Sequence, residues 1–338
     1  MQELAVASTI AATSFLSTLL LTRKWVRLAG KMRFVGKDLN KNGDTQISDS
    51  GGIVVALAVC VSLLLYISLK TFYWRSTTHL VDAFALCSTV LLAAFLGFTD
   101  DVLGWKQGLT QLQKVVLTFP IALPLMVTCA GYTVVDIPVV GAVNFGVAYP
   151  LLWIPIGIVG ATNGFNMLAG YNGIEAGMAL IIFTAFGATG IIIGRYWIAL
   201  ITFIAVASLL AFLRFNWYPA KVFPGNSLTY SMGSLIAAVA IIGNMEKLAL
   251  WLFLPYFAEG LLYLKARLVD NAGDVQAFAI PKTDGSLTMP YPKIYDFTHL
   301  SIWLLSKMER KVYEKHVVWF TLLVEAFLAF SGVLLLIC

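Results

Sequence analysis

Apolar residues run along this chain in blocks of about 20, separated by short polar knots. A helix needs about 20 mostly apolar residues to cross the hydrocarbon core of a bilayer. On that length the pattern predicts ten membrane helices, over 4–22, 51–71, 79–98, 112–131, 144–161, 174–194, 196–213, 227–245, 247–266 and 317–337. The first block has no basic leading segment and no clean small-residue cleavage site, so it reads as a retained helix and not a signal peptide. Pro150 and Pro155 interrupt the fifth, which a bundle tolerates where neighbours satisfy the freed carbonyls. No repeat, low-complexity tract or soluble domain boundary breaks the series. The expectation is an all-α polytopic membrane protein. It forms one integral membrane domain over 1–338, with a cytoplasmic loop at 267–315 between the ninth and tenth helices.

Composition narrows the class. Of 338 residues, 59% are hydrophobic and 12% charged, with a mean hydropathy of +0.83. A soluble domain carries about 25% charged residues. This excludes a soluble globular enzyme, a disordered chain and a nucleic-acid-binding module, and the net charge of +5 is too modest to argue otherwise. The position of the positive charges is more informative. If the ten blocks alternate, 19 of the 23 basic residues fall on one side, Lys106 and Arg310 among them, and the other side keeps Lys70, Arg75, Arg195 and Lys247. Basic loops face the cytoplasm. Both termini are therefore expected outside. The four cysteines lie in apolar stretches without ligand spacing, and His79, His299 and His316 form neither a metal set nor a triad.

Polar residues at a membrane mark function by default, and four clusters stand out, all on the expected cytoplasmic side. Gly36-Lys37-Asp38-Leu39-Asn40-Lys41 precedes Ile47-Ser48-Asp49-Ser50-Gly51-Gly52; a solvated basic loop is the plainer reading of that pair. Asp100 and Asp101 adjoin at the end of the third block. Adjacent carboxylates are stable together when a cation or a basic group neutralises them. Mg²⁺ in phosphate chemistry takes one or two carboxylates plus phosphate oxygens. Negative charge at a helix C-terminus opposes the macrodipole, which counts against a merely solvated helix end. Lys114 can return to the same side and meet a phosphate. The stretch 163–177 packs Asn163, Asn166, Asn172 and four glycines between two apolar blocks, where glycine admits a ligand to the backbone and asparagine both donates and accepts. Finally, Asn216–Ser227 is an aromatic, Pro/Gly-interrupted loop. Trp217 and Tyr218 read as an interfacial belt, and Phe223 suits base stacking. Together the clusters suggest a cytoplasm-facing cleft for Mg²⁺ and phosphates. A transporter or scramblase of nucleotide sugars or lipid-linked sugars is the competing reading, but it would place ionisable groups near mid-membrane on broken helices.

At these residues the chain resembles the polyprenyl-phosphate N-acetylhexosamine-1-phosphate transferases. The likeness is greater to the dolichyl-phosphate GlcNAc-1-phosphate transferase branch than to the bacterial phospho-MurNAc-pentapeptide translocases. GKDLNK, LGFTDDVLG, NGFNMLAGYNGIEAG, NWYPAKVFPGNS and PKTDGSLTMPYPK carry it, in family order and over nearly the whole chain. The resemblance implies ten transmembrane helices with outside termini. It implies transfer of a HexNAc-1-phosphate, GlcNAc by default, from a UDP-sugar to a polyprenyl (dolichyl) phosphate. The products are UMP and a sugar-diphospho-polyprenol, in a first membrane step of lipid-linked glycan assembly of the N-glycosylation type. Mg²⁺, or Mn²⁺ in its place, is the implied cofactor. The lipid bilayer is the implied setting, with the active site cytoplasmic, in an archaeal plasma membrane or, for a eukaryotic chain, the endoplasmic reticulum; a homodimer is compatible with it. A catalytically altered relative is a further alternative.

Roles carry over by motif. Asp100 and Asp101 match the paired aspartates beside metal and lipid phosphate, and Lys114 the phosphate-contacting lysine. Asn166 and Asn226 match metal-site positions. Asn172 and Phe223 match the uracil-binding asparagine and the stacking aromatic, Asn163 lies in the same substrate motif, and Lys41 and Asp49 line the nucleotide entrance. The chain departs from the family twice. Asn226 stands where the family usually has a metal-ligating aspartate, which should weaken Mg²⁺ binding. The stretch 270–278 carries no Arg or His where the family has an Arg/His-rich, sugar-gripping motif. The Asp284-Gly285 turn within 281–293 predicts a small cytoplasmic β-hairpin. An amphipathic helix is predicted near 298–312, its Lys307, Arg310 and Lys311 meeting anionic headgroups.

Overall fold

The computed structural model describes residues 2–104, 109–137, 140–273, 275–308 and 311–337. Lys106 and Arg310, named above, lie outside the described residues, as does Asp274 in the stretch 270–278. The chain is mostly helical. It runs through α1 (Gln2–Lys31), α2 (Gly52–Phe72), α3 (Leu80–Leu103), α4 (Gln111–Thr118), α5 (Leu123–Val127), α6 (Ile154–Met167), α7 (Ile174–Ile192), α8 (Tyr196–Asn216), α9 (Gly225–Gly243), α10 (Glu246–Leu252), α11 (Leu254–Leu264), α12 (Phe297–Met308) and α13 (Glu314–Ile337). Three antiparallel two-stranded ribbons interrupt it: β1 (Val35–Lys37) with β2 (Gln46–Ser48), β3 (Val134–Ile137) with β4 (Gly141–Asn144), and β5 (Ile280–Pro281) with β6 (Leu287–Thr288). Among the described residues seven helices are long and apolar enough to cross a membrane, or eight if the bent pair α10/α11 counts as one span. This is a polytopic membrane protein.

Helix α9 is the hub. In its apolar window 83% of residues are buried inside the protein, against 22% for α1. It packs against α2, α3, α6 and α7, while α1 lies outside against α2 and α8. Small residues make this centre tight: Gly233 of α9 meets the Ala161 and Thr162 backbone of α6, the close backbone approach that membrane helices use.

Several boundaries differ from the sequence pattern. Helix α1 runs on to Lys31 instead of ending near 22, because Arg and Lys are good helix formers and need no apolar cover beyond the hydrocarbon. The block 112–131 is not one helix: Pro120 and Pro124 split it into α4, a 3₁₀ turn and α5, and it ends at Val127. The block 144–161 starts later and ends later. Residues 141–144 belong to β4, a π turn over Tyr149–Trp153 leads into α6, and α6 continues to Met167. Pro150 and Pro155 fall at the starts of these turns, where a missing N–H costs little. Asn163 and Asn166 therefore stand on a helix and not in a connecting loop. The block 247–266 bends by 54° between α10 and α11. The late hairpin forms, and the helix expected near 298–312 spans Phe297–Met308, so that Lys311 lies beyond it and pairs with Asp284 at 2.8 Å. Asp284 Oδ1 accepts the Ser286 N–H at 3.0 Å, closing the β5–β6 turn, and Lys307 of α12 lies 3.5 Å over the Trp303 ring.

Candidate active site

The site is built where the end of α3 meets the start of α9. A methyl group at Gly97 would overlap the Asn226 backbone, so this glycine allows the two helices to touch. The first N–H groups of a helix have no partner inside it. Pro224 precedes α9 and offers no side-chain cap. Asp101, from α3, supplies the cap instead. Its Oδ1 accepts the Asn226 N–H at 2.8 Å, its Oδ2 the Ser227 N–H at 3.3 Å, and the Ser50 hydroxyl also donates to Oδ2. Gly225 sits at φ +66°, and the space a Cβ would take is filled by the Asp101 carboxylate. Asp101 thus clamps the α9 N-terminus to Ser50, two residues before α2.

Asp100 does different work. It is 4% exposed, and Lys114 Nζ lies 2.7 Å from its Oδ2. The Asn226 amide donates to the same oxygen at 2.8 Å, and the Leu109 N–H donates to Oδ1 at 2.8 Å. One turn along α9, Thr229 donates to Asn166 Oδ1 at 2.6 Å, which joins α6 to the cluster. The Asn163 amide turns elsewhere, to Thr118 Oγ1 and its own Val159 carbonyl, both at 2.9 Å. Among the described residues no three His, Cys, Asp or Glu side chains converge as a metal-binding set. The oxygens of Asp100, Asn226 and Asn166 are hard donors that fit Mg²⁺ when phosphate oxygens complete the shell.

A second cluster adjoins the first. The Phe223 N–H donates to the Ser48 carbonyl at 2.8 Å and its carbonyl accepts the Gly51 N–H at 2.9 Å, so Phe223 is strapped to the β2 edge. Its ring covers Gly36: a methyl group there would lie 3.2 Å from Phe223 and 3.3 Å from Asp49 Oδ2. Burial raises the pKa of the Asp49 carboxyl, although Oδ1 accepts the Ser50 N–H at 2.6 Å. Asn172 is 3% exposed; its backbone N–H donates to Glu314 Oε1 at 2.8 Å and its Nδ2 to Asp38 Oδ2 at 3.2 Å. Lys41 Nζ lies 2.5 Å from Asp38, 3.9 Å from Glu314 and 4.7 Å over the Tyr218 ring. Of these, Lys41, Tyr218 and Glu314 line a cavity of about 370 Å³ together with Asn40, Thr283 and Tyr313. Helix α6 also lines an apolar groove of about 300 Å³ that passes Gly157, Gly160, Gly164, Ile236, Phe253 and Phe257. From Ile156 to Gly164 it follows α6 for about 12 Å at the helical rise.

This arrangement has relatives. A family model described as glycosyl transferase family 4 matches residues 83–244, from α3 through α9. A protein of Saccharolobus solfataricus, provisionally named a UDP-N-acetylglucosamine–dolichyl-phosphate N-acetylglucosaminephosphotransferase, is 36% identical over 284 residues, 81% of this chain and 84% of that protein. The chain belongs to glycosyl transferase family 4. A Dictyostelium discoideum protein named as the same transferase is 30% identical over 268 residues, 68% of this chain and 64% of its own. A Geobacillus phospho-N-acetylmuramoyl-pentapeptide-transferase is 31% identical over 247 residues, 69% of this chain and 74% of its own. Proteins named for the dolichyl-phosphate and for the pentapeptide reaction thus both align with this chain, at overlapping identities.

Within this family-4 chain, Asp100, Asp101, Lys114, Asn226 and Asn166 come together in one cluster; Phe223 and Asp49 meet over Gly36, and Asn172 and Lys41 meet at Asp38. Asn163 joins none of these. The aspartate pair, read from sequence as one metal-binding unit, splits into a cap and a cation partner. Ser50, Ser227, Thr229, Asp38 and Glu314 complete the two clusters and were not singled out by sequence. Asp38 and Ser50 stood inside flagged motifs, but their partners are 134 and 51 residues away. Glu314 had no local signal at all. In the late loop, Phe278 packs on Gly170.

Proposed function

We propose that this chain transfers GlcNAc-1-phosphate from UDP-GlcNAc to a dolichyl-type polyprenyl phosphate, releasing UMP and leaving a sugar-diphospho-polyprenol in the membrane. The observation that carries the proposal is the buried Asp100–Lys114–Asn226 cluster, joined through Asn166 to the helix α6 that lines an apolar groove, in a chain 36% identical to a protein provisionally named for that reaction. The acceptor's isoprenoid chain would lie in the groove along α6, whose glycines leave the wall open. Its phosphate would reach the cytoplasmic end of that groove, near Asn166. The uridine would sit against Phe223 and Asn172.

In this reading the acceptor phosphate oxygen attacks the β-phosphorus of the donor, and UMP leaves. Lys114 supplies positive charge against both reactants, and Asp100 holds its ammonium in place at 2.7 Å. Asp101 keeps the α9 N-terminus, and with it Asn226 and Thr229, in register. Mg²⁺, held by Asp100, Asn226 and Asn166 with the diphosphate, would neutralise charge on the leaving group. Ten spans with outside termini, a cytoplasmic site and an archaeal plasma membrane belong to the same proposal. They are supported by the basic residues gathered on one side and by the α4–α5 and α6 segments, which complete the count if each crosses. Among the described residues the competing transporter reading finds two buried mid-helix carboxylates, Glu259 of the bent α10/α11 pair and Glu325 of α13; the residues of the two clusters gather at the helix ends. Purified protein in detergent, given UDP-GlcNAc, polyprenyl phosphate and Mg²⁺, should release UMP. Absence of turnover with every UDP-HexNAc refutes the proposal.

A further inference from the structure

We propose that Glu246 fixes the direction in which the acceptor lies in the apolar groove, by barring an anionic group from the end remote from Asn166; this rests on the acceptor reading above. The groove has two distinct ends. A methyl group on Gly164 would touch Phe253, and one on Gly157 would touch Ile241. Gly164 is two residues from Asn166, whereas Ile241 is two residues from the end of α9, just before the chain enters α10 at Glu246. The groove therefore runs from the Asn166 end of α6 to the turn between α9 and α10. Gly164, Phe253 and Phe257 line the first end, and Trp153, Ile241 and Glu246 the second.

Among the described residues Glu246 is the only charged side chain on the groove's wall. Its Oε1 accepts the Tyr149 O–H at 2.6 Å, and Tyr149 is fully buried, so the carboxylate is anchored to a fixed point. Arg195 and Lys247 stand at the same end but do not line the groove. The Arg195 guanidinium donates to the Gly243 carbonyl at 2.6 Å and lies 5.0 Å from the Tyr132 ring. At the other end the sign is reversed. The Asn163 amide, beside Gly164, donates to Thr118 Oγ1 at 2.9 Å, and Thr118 is one turn after Lys114 on α4. A polyprenyl phosphate is charged at one end only. Laid with its phosphate toward Asn166, it gains from Lys114 and leaves its apolar end beside Glu246. Reversed, its phosphate meets a carboxylate at the end of an apolar wall, and like charges set together there weaken binding by about tenfold or more. Apolar shape does not make this choice, because an isoprenoid chain fits such a wall either way round. Glu246 is a specificity-determining residue that acts by repulsion.

The test is displacement of radiolabelled polyprenyl phosphate from the full chain in detergent with Mg²⁺. The competitors are built on one isoprenoid diol matched to the groove's length: its monophosphate, its bisphosphate, and the monophosphate whose far hydroxyl carries a neutral dimethyl phosphate. The bisphosphate should bind the wild type about tenfold or more weakly than the monophosphate, and the neutral ester within about threefold of it. Bisphosphate binding within about twofold of the monophosphate overturns the proposal. Equal rejection of the neutral ester also overturns it, because size and not charge is then read. Glu246→Gln keeps an acceptor for the Tyr149 O–H and removes the charge, so the penalty on the bisphosphate should shrink by about fivefold or more in a variant with wild-type melting behaviour. An unchanged penalty in that folded variant overturns the proposal. If Glu246→Gln does not fold, the neutral ester makes the same decision on the wild type alone. Monophosphate that binds without sugar-phosphate transfer to polyprenyl phosphate refutes the transferase reading and leaves this inference standing. Transfer with an unpenalised bisphosphate refutes this inference alone, and absence of polyprenyl phosphate binding refutes both.

Discussion

Asn226→Asp is the most informative single substitution at the site. It restores the acid that the family usually carries, yet in this fold the Asn226 amide donates to Asp100 Oδ2 at 2.8 Å. An aspartate in the same rotamer loses that bond and sets two carboxylates against each other. Unit charges about 4 Å apart at an effective dielectric of about 20 repel by about 4 kcal/mol. Lys114, 2.7 Å from the same oxygen, offsets part of this. With a lost hydrogen bond worth about 1 kcal/mol, the metal-free variant should be less stable by on the order of 2–3 kcal/mol. A divalent cation between the carboxylates reverses the sign, since each becomes a ligand. The assay is thermal unfolding in detergent, with and without Mg²⁺ and UMP, on wild type and variant. The variant should melt lower than wild type without Mg²⁺ and gain more from Mg²⁺. Equal melting without Mg²⁺ would show that Asn226 does not bear on Asp100. An equal Mg²⁺ gain would show that position 226 lies outside the metal shell.

Further outcomes follow from the same geometry. Asp101→Asn places an NH₂ against helix N–H donors, so it should lower stability by about 1–2 kcal/mol as well as abolish transfer; unchanged chemical denaturation would remove the capping role. Gly36→Val would push into the Phe223 ring and Asp49 and should raise the KM for the UDP-sugar while the acceptor KM holds; steady-state kinetics in both substrates decides. Gly160 has open space where a side chain would go, so Gly160→Leu should fill the apolar groove and raise the KM for polyprenyl phosphate alone. His299 of α12 is fully buried, and that burial depresses its pKa below 6.5, outweighing the nearby Asp296 carboxylate. The unfolded chain therefore takes up a proton first, and stability is full above about pH 6.5 and falls as pH drops below it. His299→Phe should flatten the melting curve between pH 7 and 5; an unchanged slope would assign the acid sensitivity to other groups.

The sequence by itself determined the membrane class, most of the helices and the motif segments that form the site. Those properties are local: a run of apolar side chains must find lipid or helix, and a knot of Asp, Asn and Gly at its end cannot be buried in hydrocarbon. The same locality explains the errors. Apolar length does not say where Pro120 and Pro124 break a helix, nor that α6 continues through Asn163 and Asn166, because a polar residue at the bilayer edge is compatible with helix and loop alike. Only the tertiary structure decided what each polar residue does. Asp100 and Asp101 are neighbours in sequence with the same chemistry. Successive residues on a helix point about 100° apart, and this alone sends one toward Lys114 and the other onto the α9 N-terminus. Asn172 meets Asp38 and Glu314 across 134 and 142 residues. Such contacts are set by how helices pack, and no pattern within either segment records them.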